Sequence, residues 1–239
     1  MIGRYIRSTA IVLISIVSAA LVLLFSWLPK GGVYPFISRR FWGPGLLWCA
    51  GIKLEVRGLE KLENISNAVF ISNHQSHFDI PCLTTALPIP VYFIAKKELQ
   101  KIPIFGWGMM SIGMVFVDRN NREKAMKSMQ KAAKQIKKGK FILTFPEGTR
   151  SRPGDIQTFK KGSFHLAKNG PLKLIPITHF GTRKIMPSGG KFSPGGKVII
   201  EIGNAISELE VENLTVPELN ALSRSKIIET FERLQSEHS

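Results

Sequence analysis

The chain has 239 residues and a mass of 26.7 kDa, which is long enough for one folded domain with its own hydrophobic core. Hydrophobic residues make up 44% of the chain and charged residues 21%, a composition that excludes a largely disordered protein. The two cysteines, Cys49 and Cys82, have no CxxC or Cys/His spacing, so we expect neither a disulfide scaffold nor a structural zinc site.

The formal net charge of +16 is distributed unevenly along the chain. Residues 1–52 carry +5, residues 53–197 carry +16, and residues 198–239 carry −5. An excess of this size predicts an anionic partner for the central part of the chain, although the charge alone does not identify that partner.

An uncharged run rich in Ile, Val and Leu extends from Ser8 to Leu28. A helix of this length spans about 31 Å, which matches a bilayer core of roughly 30 Å. The run follows Arg4 and Arg7, but residues 26–30 contain no small-residue cleavage site, so a membrane-inserted helix is favoured over a cleaved signal peptide. A buried helix of a soluble protein is a weaker alternative, because no polar stripe interrupts the run.

A second apolar stretch, Phe41 to Ile52, is too short to span a membrane and fits an interfacial or re-entrant segment better. A helical hairpin inserted into one leaflet, with both ends cytoplasmic, agrees with the basic residues on both flanks of the first run, while a single span remains open. We therefore divide the chain into a membrane-inserting helical segment, 1–52, and an α/β domain, 53–239.

The second segment has the pattern of an α/β domain. Helical periodicity covers 122–139, a capping box at 215–218 begins a second helix, and 187–196 has the composition of an exposed loop. The sequence therefore predicts a mixed, mostly parallel sheet flanked by helices and preceded by the membrane-embedded helical segment. The predicted strands are 52–57, 68–72, 91–95, 114–117, 141–145, 172–178 and 198–202.

The first motif with evident chemistry is Asn73-His74-Gln75-Ser76-His77-Phe78-Asp79, directly after a predicted strand. Histidine suits proton transfer near neutral pH, and a carboxylate on its other ring nitrogen fixes the tautomer. Positions i and i+5 of a helix lie about 140° apart, so His74 must lie in the loop and Asp79 at the helix start. His77 is interpreted as a structural or surface histidine. The alternative is that Asp79 only caps the helix and His74 is a hydrogen-bonded loop residue.

Three further motifs are each ambiguous when taken alone. Gly113 to Arg119 is a strand that ends in an arginine able to bind a phosphate. Phe145 to Ser151 is a strand entering a turn that carries Glu147 and Arg150. Ile175-Pro176-Ile177 is a strand with an internal proline, which predicts a sheet edge or a bulge.

Together and in this order, these four motifs resemble the blocks of the glycerolipid acyltransferase family. The family is marked by Asn-His-x4-Asp, Gly-x-x-Phe-x-x-Arg, Phe-Pro-Glu-Gly-Thr-Arg and hydrophobic-Pro-hydrophobic blocks. This chain carries them at 73–79, 113–119, 145–150 and 175–177, and a lysine-bearing segment at 95–99 is also similar.

The resemblance implies transfer of a fatty acyl group from a thioester, acyl-CoA or acyl-carrier protein, to the free hydroxyl of lysophosphatidic acid, which would give phosphatidic acid. It implies that His74 acts as general base, oriented by Asp79. The sequence has no G-x-S-x-G elbow, and direct transfer without an acyl-enzyme is therefore expected. The implied substrate-binding positions are Lys97, Gly113, Phe116, Arg119, Glu147, Gly148, Thr149, Arg150 and Pro176, with Arg119, Lys97 and Arg150 on the phosphate; no metal or separate cofactor is implied.

An enzyme with such a substrate is expected to act at a membrane surface. We expect this enzyme at the cytoplasmic face of the inner membrane. A lysine stripe on helix 122–139 predicts attraction to an anionic leaflet, to acyl-carrier protein or to the phosphates of coenzyme A, unless it is only a solvated face. Glycerol-3-phosphate or another lysolipid remains an alternative acceptor. A membrane-tethered, non-enzymatic binder of nucleic acid or anionic lipid has only the charge in its favour, and a nucleic-acid partner is not expected.

Overall fold

A computed structural model of the protein describes residues 2–28, 33–66, 68–170 and 172–238. The first helix, α1, begins at Ile2 and ends at Leu24, so it starts earlier and stops earlier than the uncharged run predicted. Pro29 and Lys30, which follow that run in the sequence, lie outside the described residues. The elements between α1 and the sheet are α2 (Val33–Phe36), a π-helical segment (Ile37–Trp42) and α3 (Gly43–Ala50).

In the described parts of the chain, seven strands form one sheet in the order β1-β7-β6-β2-β5-β3-β4. Every neighbouring pair is parallel except β6 and β7, which are antiparallel. The predicted mixed, mostly parallel sheet flanked by helices is therefore confirmed. The strands are β1 (Ile52–Arg57), β2 (Ala68–Ser72), β3 (Val91–Lys96), β4 (Val115–Val117), β5 (Phe141–Thr144), β6 (Lys173–Phe180) and β7 (Gly196–Ile202).

The position of each strand in the sheet follows from its sequence pattern. All residues of β2 are buried, as a central strand of a parallel sheet covered on both faces requires. By contrast, β1 alternates apolar residues with Lys53, Glu55 and Arg57, and it lies at one edge of the sheet. The sheet thus places the end of β2, where the first motif begins, in the middle of the molecule.

Pro176 lies in the interior strand β6, so the sheet-edge alternative predicted for it is wrong, whereas the bulge agrees with the register. Leu174 faces Ile206, but Ile177 faces Ile202, and the pairing therefore slips by one residue between these positions. The carbonyl of Pro176 accepts a hydrogen bond from Gly203 N at 2.8 Å. A bulge is one of the places where a strand tolerates a proline, which has no N–H to donate.

The helices cover both faces of the sheet. The connection from β2 to β3 and that from β4 to β5 run in opposite directions across the sheet, so right-handed crossovers place their helices on opposite faces. Helices α3, α4 and α5 lie on the face that α1 packs against, and α6, α7, α9 and α10 lie on the other. The helices after β2 are α4 (Asp79–Ala86), α5 (Phe105–Ser111), α6 (Arg122–Ile136), α7 (Gly162–Lys168), α8 (Thr182–Ile185), α9 (Glu208–Asn213) and α10 (Val216–Glu237), with 3-10 turns at Leu59–Leu62 and Lys97–Lys101.

Helix α6 has a buried and a basic face. It buries Ala132, Ala133 and Ile136 against the sheet, while the predicted lysine stripe is exposed. Because α6 and α1 pack on opposite faces of the sheet, the lysine stripe does not adjoin the apolar N-terminal helix. The lysines of the stripe are Lys124, Lys127, Lys131, Lys134 and Lys138.

Helix α1 packs against the rest of the protein along much of its length. Arg7 Nη1 donates to the Cys49 carbonyl at 2.9 Å, and Trp42 Nε1 donates to Ser15 Oγ at 3.1 Å. The other side of α1 exposes large apolar side chains. By length and composition, α1 is the one helix in the described parts of the chain that could cross a membrane, and 11% of its most apolar window is buried. The division of the chain at residue 52 stays a prediction.

Candidate active site

The end of β2 and the start of α4 bring His74 and Asp79 together. His74 lies in the loop after β2, and Asp79 is the first residue of α4. This arrangement turns the imidazole back over the helix start, and the distance from His74 Nδ1 to Asp79 Oδ2 is 2.7 Å. The loop and helix-start placement predicted from the five-residue spacing is therefore observed.

The Asp79 carboxylate organises the loop that carries the histidine. Asp79 is fully buried, and its Oδ2 accepts the backbone N–H groups of Gln75 and Ser76 at 2.7 and 2.8 Å in addition to the His74 contact. These donors precede the helix, whereas a capping carboxylate bonds to N–H groups inside the first turn. Asp79 therefore holds the His74 loop, and the helix-cap alternative does not describe its contacts.

Asp79 is ionised at neutral pH. Burial by itself raises the pKa of a carboxyl group, but the His179 and His74 imidazoles beside the carboxylate outweigh that effect here, and the pKa of Asp79 falls well below its ordinary value. The negative charge stabilises a proton on the imidazole beside it, as a base that accepts a proton during a reaction requires.

The His74 ring has one fixed edge and one available edge. Its face stacks on Phe145, with ring centroids 4.0 Å apart and planes 16° from parallel. With Nδ1 committed to Asp79, Nε2 has no hydrogen-bond partner among the described residues, and 16% of the side chain is exposed. The ring can therefore receive a proton at Nε2 from a bound molecule without losing its orientation.

Glu147 holds the same loop from the other side. Its carboxylate is 3% exposed and accepts the backbone N–H groups of His74 at 2.6 Å and Gln157 at 3.2 Å. Burial raises the pKa of Glu147 to about 7, against the opposing effect of these two hydrogen bonds. Ser151 N also donates to the His74 carbonyl at 2.8 Å. The third motif is thus joined directly to the first.

The arginine of the second motif reaches the turn of the third. Arg119 Nη1 donates to the carbonyl of Gly148, which has a φ of 74° that favours glycine. Lys97 Nζ lies 2.7 Å from Asp118 Oδ2, next to Arg119 in the sequence. Two of the basic residues predicted to bind phosphate therefore lie on adjoining segments beside the Gly148 turn.

The other predicted site residues lie around these groups. Arg150 is close enough to His77 that, after burial, its charge helps to lower the pKa of His77. Thr149 is exposed, Phe116 is half-buried in β4, and Pro176 is buried in β6. Gly113 follows α5 with a φ of 84°. No hydrogen bond joins these residues to His74 in the described chain, and their roles stay predictions.

An apolar groove of about 280 Å³ runs from the His74 loop to α1. His77 is exposed at this groove, in agreement with the surface role predicted for it. Phe78 and Pro81 line one wall, and Ile11 and Val12 of α1 line another. The polar loop that carries His74 and the apolar N-terminal helix therefore share one groove.

Sequence reasoning missed His179, which is fully buried in β6. His179 lies 105 residues after His74 in the chain, in a strand of mainly apolar residues. The one signal in the sequence was its alternation with Ile175 and Ile177, which puts the three side chains on the same face of the strand. Within the described residues, no three His, Cys, Asp or Glu side chains are arranged to hold a metal ion.

Comparison with known proteins agrees with this geometry. The model of the Acyltransferase family matches residues 53–179, which contain all four motifs. The chain belongs to this family, and it is an enzyme of the acyltransferase class.

Within the family, the chain is similar to 1-acyl-sn-glycerol-3-phosphate acyltransferases. The protein of that name from Borreliella burgdorferi is 31% identical over 189 residues, which are 79% of this chain and 76% of that protein. The one from Pseudomonas aeruginosa is 31% identical over 209 residues, which are 85% of this chain and 80% of that protein.

A solved structure extends the similarity to the whole fold. The 1-acyl-sn-glycerophosphate (LPA) acyltransferase PlsC from Thermotoga maritima superimposes with a TM-score of 0.85 and 26% identity. The match covers 100% of this chain and 98% of that one. The resemblance drawn from the four motifs is therefore confirmed.

Proposed function

We propose that the protein transfers a fatty acyl group from acyl-CoA or acyl-carrier protein to the sn-2 hydroxyl of 1-acyl-sn-glycerol-3-phosphate, making phosphatidic acid. The observation that carries the proposal is the 2.7 Å contact between His74 Nδ1 and Asp79 Oδ2, which leaves Nε2 available. The names of the relatives from Borreliella burgdorferi and Pseudomonas aeruginosa support the choice of acceptor.

In the proposed mechanism, His74 Nε2 takes the proton of the acceptor hydroxyl while the hydroxyl oxygen attacks the thioester carbonyl. Asp79 stabilises the resulting imidazolium. The tetrahedral intermediate then expels the thiolate, and His74 returns the proton to it as the free thiol leaves. The ester bond forms and the thioester bond breaks, so no group remains on the enzyme.

The surroundings of the two cysteines support direct transfer. Both Cys49 and Cys82 are buried. Burial, together with the charge of Asp79, raises the pKa of the Cys82 thiol well above its ordinary value, so this residue is not a reactive thiolate. The hydroxyl of Ser76 donates to the Met186 carbonyl at 2.8 Å rather than to His74. An acyl-enzyme has no suitable nucleophile in these contacts.

The acceptor phosphate is proposed to bind Arg119, Lys97 and Arg150. Arginine and lysine suit this group because they offer charged donors, and Arg119 can present two of them in parallel. The glycerol part would then lie along the Gly148 turn. Glu147 shapes this site through the backbone of the His74 loop, because its own carboxylate is buried.

We propose that α1 inserts into a membrane and that the acyl chains of the substrates enter the site from this membrane. The contacts of α1 with Cys49 and Trp42 hold it along the domain, which supports insertion into one leaflet better than a helix crossing both. The apolar groove beside Phe78 connects this face with the His74 loop. The proposed location is the cytoplasmic face of the inner membrane.

The test is transfer of labelled acyl groups from acyl-CoA and from acyl-carrier protein to a panel of lysolipids and glycerol-3-phosphate. Lysophosphatidic acid is expected to be the best acceptor, and His74→Ala is expected to abolish transfer because the hydroxyl loses its base, with a loss of about 10²- to 10⁴-fold or more. His77→Ala serves as the control on the same loop. Transfer to another lysolipid alone would overturn the acceptor, and full activity of His74→Ala would overturn the mechanism.

A further inference from the structure

The carboxylate of Asp79 lies between two imidazoles. His74 contacts Oδ2, and on the other side His179 Nε2 lies 3.2 Å from Oδ1. Both Asp79 and His179 are fully buried, so water does not screen this second contact. The charge that orients His74 is therefore shared with a histidine from the distant strand β6.

His179 is held in place by β2. The side-chain amide of Asn73 donates to the His179 carbonyl at 2.9 Å, and its oxygen accepts the His179 N–H at 3.0 Å. Ser72 Oγ lies 3.0 Å from His179 Nδ1. Asn73 directly precedes His74, so the segment that carries the catalytic loop also fixes the second histidine.

The hydrogen bonds of Ser72 determine where the protons of His179 lie. When Ser72 Oγ donates its single hydrogen to the Ile177 carbonyl, at 2.7 Å, His179 Nδ1 donates to Ser72. If the hydroxyl turned its hydrogen to Nδ1 instead, the neutral ring would carry its hydrogen on Nε2. A bare Nε2 would point a lone pair at a carboxylate, which is unfavourable. With Nδ1 donating to Ser72, a hydrogen on Nε2 requires an imidazolium, whereas with Nδ1 accepting from Ser72 the neutral ring carries that hydrogen. Both arrangements turn an N–H of His179 toward Asp79.

The contact between Nε2 and Oδ1 acts through charge rather than through a linear hydrogen bond. Its geometry lies outside the range of a hydrogen bond, and neither atom has another hydrogen-bond partner in the described chain. The other groups facing His179 are the Phe145 ring, in a T-shaped contact at a centroid distance of 6.2 Å, and the Glu147 carboxyl, whose pKa burial raises to about 7 against a smaller opposing effect of His179. Among the residues that the structure describes, no lysine or arginine forms an ion pair with Asp79.

We propose that His179 is a positioning residue for acyl transfer: it fixes the Asp79 carboxylate and takes up part of its charge, and so limits how strongly Asp79 stabilises a proton on His74. This inference rests on the proposed role of His74 as base. Removal of His179 leaves the whole charge of Asp79 to His74, which then holds its proton to higher pH and is a weaker base catalyst near neutral pH.

The test is the pH dependence of kcat/KM in His179→Leu, with Thr178→Val as the matched control. Thr178 is buried in the same strand, and its hydroxyl points to the Ile227 carbonyl, away from Asp79. In His179→Leu the acid limb of the profile should move to higher pH by about one unit. At pH values below this limb kcat/KM should fall about tenfold, and at pH values above it kcat/KM should change little. The KM for the acceptor should stay unchanged, and Thr178→Val should keep the wild-type profile.

A rate that falls by the same factor at every pH, or an unshifted acid limb, would overturn the proposal. If His179→Leu does not fold, His179→Gln and Ser72→Ala take its place, and an unshifted acid limb in both has the same meaning. An NMR titration of ¹⁵N-labelled histidine in detergent makes the test independent of the acceptor, because His74 should titrate at higher pH in the variant. A shifted titration without transfer to lysophosphatidic acid would refute the proposed acceptor and leave the role of His179 standing.

Discussion

The carboxylate oxygens of Asp79 make more contacts than the proposed orientation of His74 requires. Oδ2 alone accepts the His74 ring and the N–H groups of Gln75 and Ser76, and Oδ1 faces His179. A carboxylate with this many partners has a structural as well as a chemical role, because each of its donors would otherwise be buried without an acceptor. Changes at this residue therefore affect folding and rate together.

Asp79→Asn should lower kcat by about 10²- to 10⁴-fold, because the amide no longer stabilises an imidazolium and cannot accept from all three donors. The same change should destabilise the fold by about 1–3 kcal/mol through the unpaired loop N–H groups. Enzyme assays and thermal unfolding in detergent measure both effects. Thr84→Val, buried in the same helix, is the control. It should keep both kcat and stability, because the buried Thr84 hydroxyl has no hydrogen-bond partner among the described residues, and an equal loss of kcat in Thr84→Val would contradict the chemical role of Asp79.

The pKa of Glu147 predicts how the free energy of unfolding depends on pH. Its pKa is raised from 4.5 to about 7 in the folded chain, so the folded state keeps a proton that the unfolded state releases. The resulting stabilisation is complete below about pH 4.5 and is lost as the pH rises through about 7. Glu147→Gln should remove this decline, which amounts to at most about 1.4 kcal/mol per pH unit.

The measurement is the unfolding midpoint of Glu147→Gln between about pH 5 and pH 8. Glu98→Gln is the control, because Glu98 is exposed on the surface. Curves for Glu147→Gln and Glu98→Gln that decline in parallel with the wild type would show that Glu147 does not carry the effect.

At the scale of elements, α1 and α6 form two surfaces on different sides of the molecule, and the sequence alone did not show that they are separate. Both were candidates for contact with an anionic bilayer, one through its apolar side chains and the other through its lysines. Their positions on opposite faces of the sheet assign the membrane to α1 in the proposed function. In the proposed function, the lysine stripe of α6 would then be available to soluble anionic molecules such as the thioester donor.

Leu13→Glu should therefore weaken binding to lipid vesicles by about tenfold, because an exposed apolar side chain of α1 becomes charged. Lys131→Gln on α6 is the matched control, since it changes the net charge by the same amount. Flotation with vesicles that contain anionic lipid measures both variants. A larger loss of flotation for Lys131→Gln than for Leu13→Glu would assign the membrane contact to α6.

Much of the fold and the centre of the site could be predicted, because they depend on local patterns. The strand β2, the loop position of His74 and the start of α4 follow from apolar runs, a five-residue spacing and a proline in the first helical turn. The role of His179 could not be predicted, because it depends on β6 pairing with β2 across more than 100 residues of chain. The interior position of Pro176 was missed for the same reason, since strand order is not a local property.

For the whole molecule, the cleft between α1 and α4 joins the two segments of the chain. One wall comes from the N-terminal segment and the other from the first motif, so the acyl chains that the proposed reaction handles would lie between them. The size of this cleft then limits which chains fit.

Ile11→Phe should shift acyl-chain preference toward shorter chains, because the larger side chain fills part of the groove of about 280 Å³. Competition between donors of different chain length measures the change. Leu13→Phe places the same ring on the exposed side of α1 and should leave the preference unchanged. A preference that does not move in Ile11→Phe would place the acyl chains elsewhere.

The packing of α1 along the catalytic domain also bears on how the enzyme would meet its lipids. On the proposed placement, the cleft opens at the level of the leaflet, and neither acceptor nor product has to pass through water with its tail exposed. Encounters then occur by lateral diffusion in two dimensions. The velocity should follow the mole fraction of acceptor in the surface and stay constant when inert lipid and acceptor are raised in proportion, provided that all of the enzyme is bound.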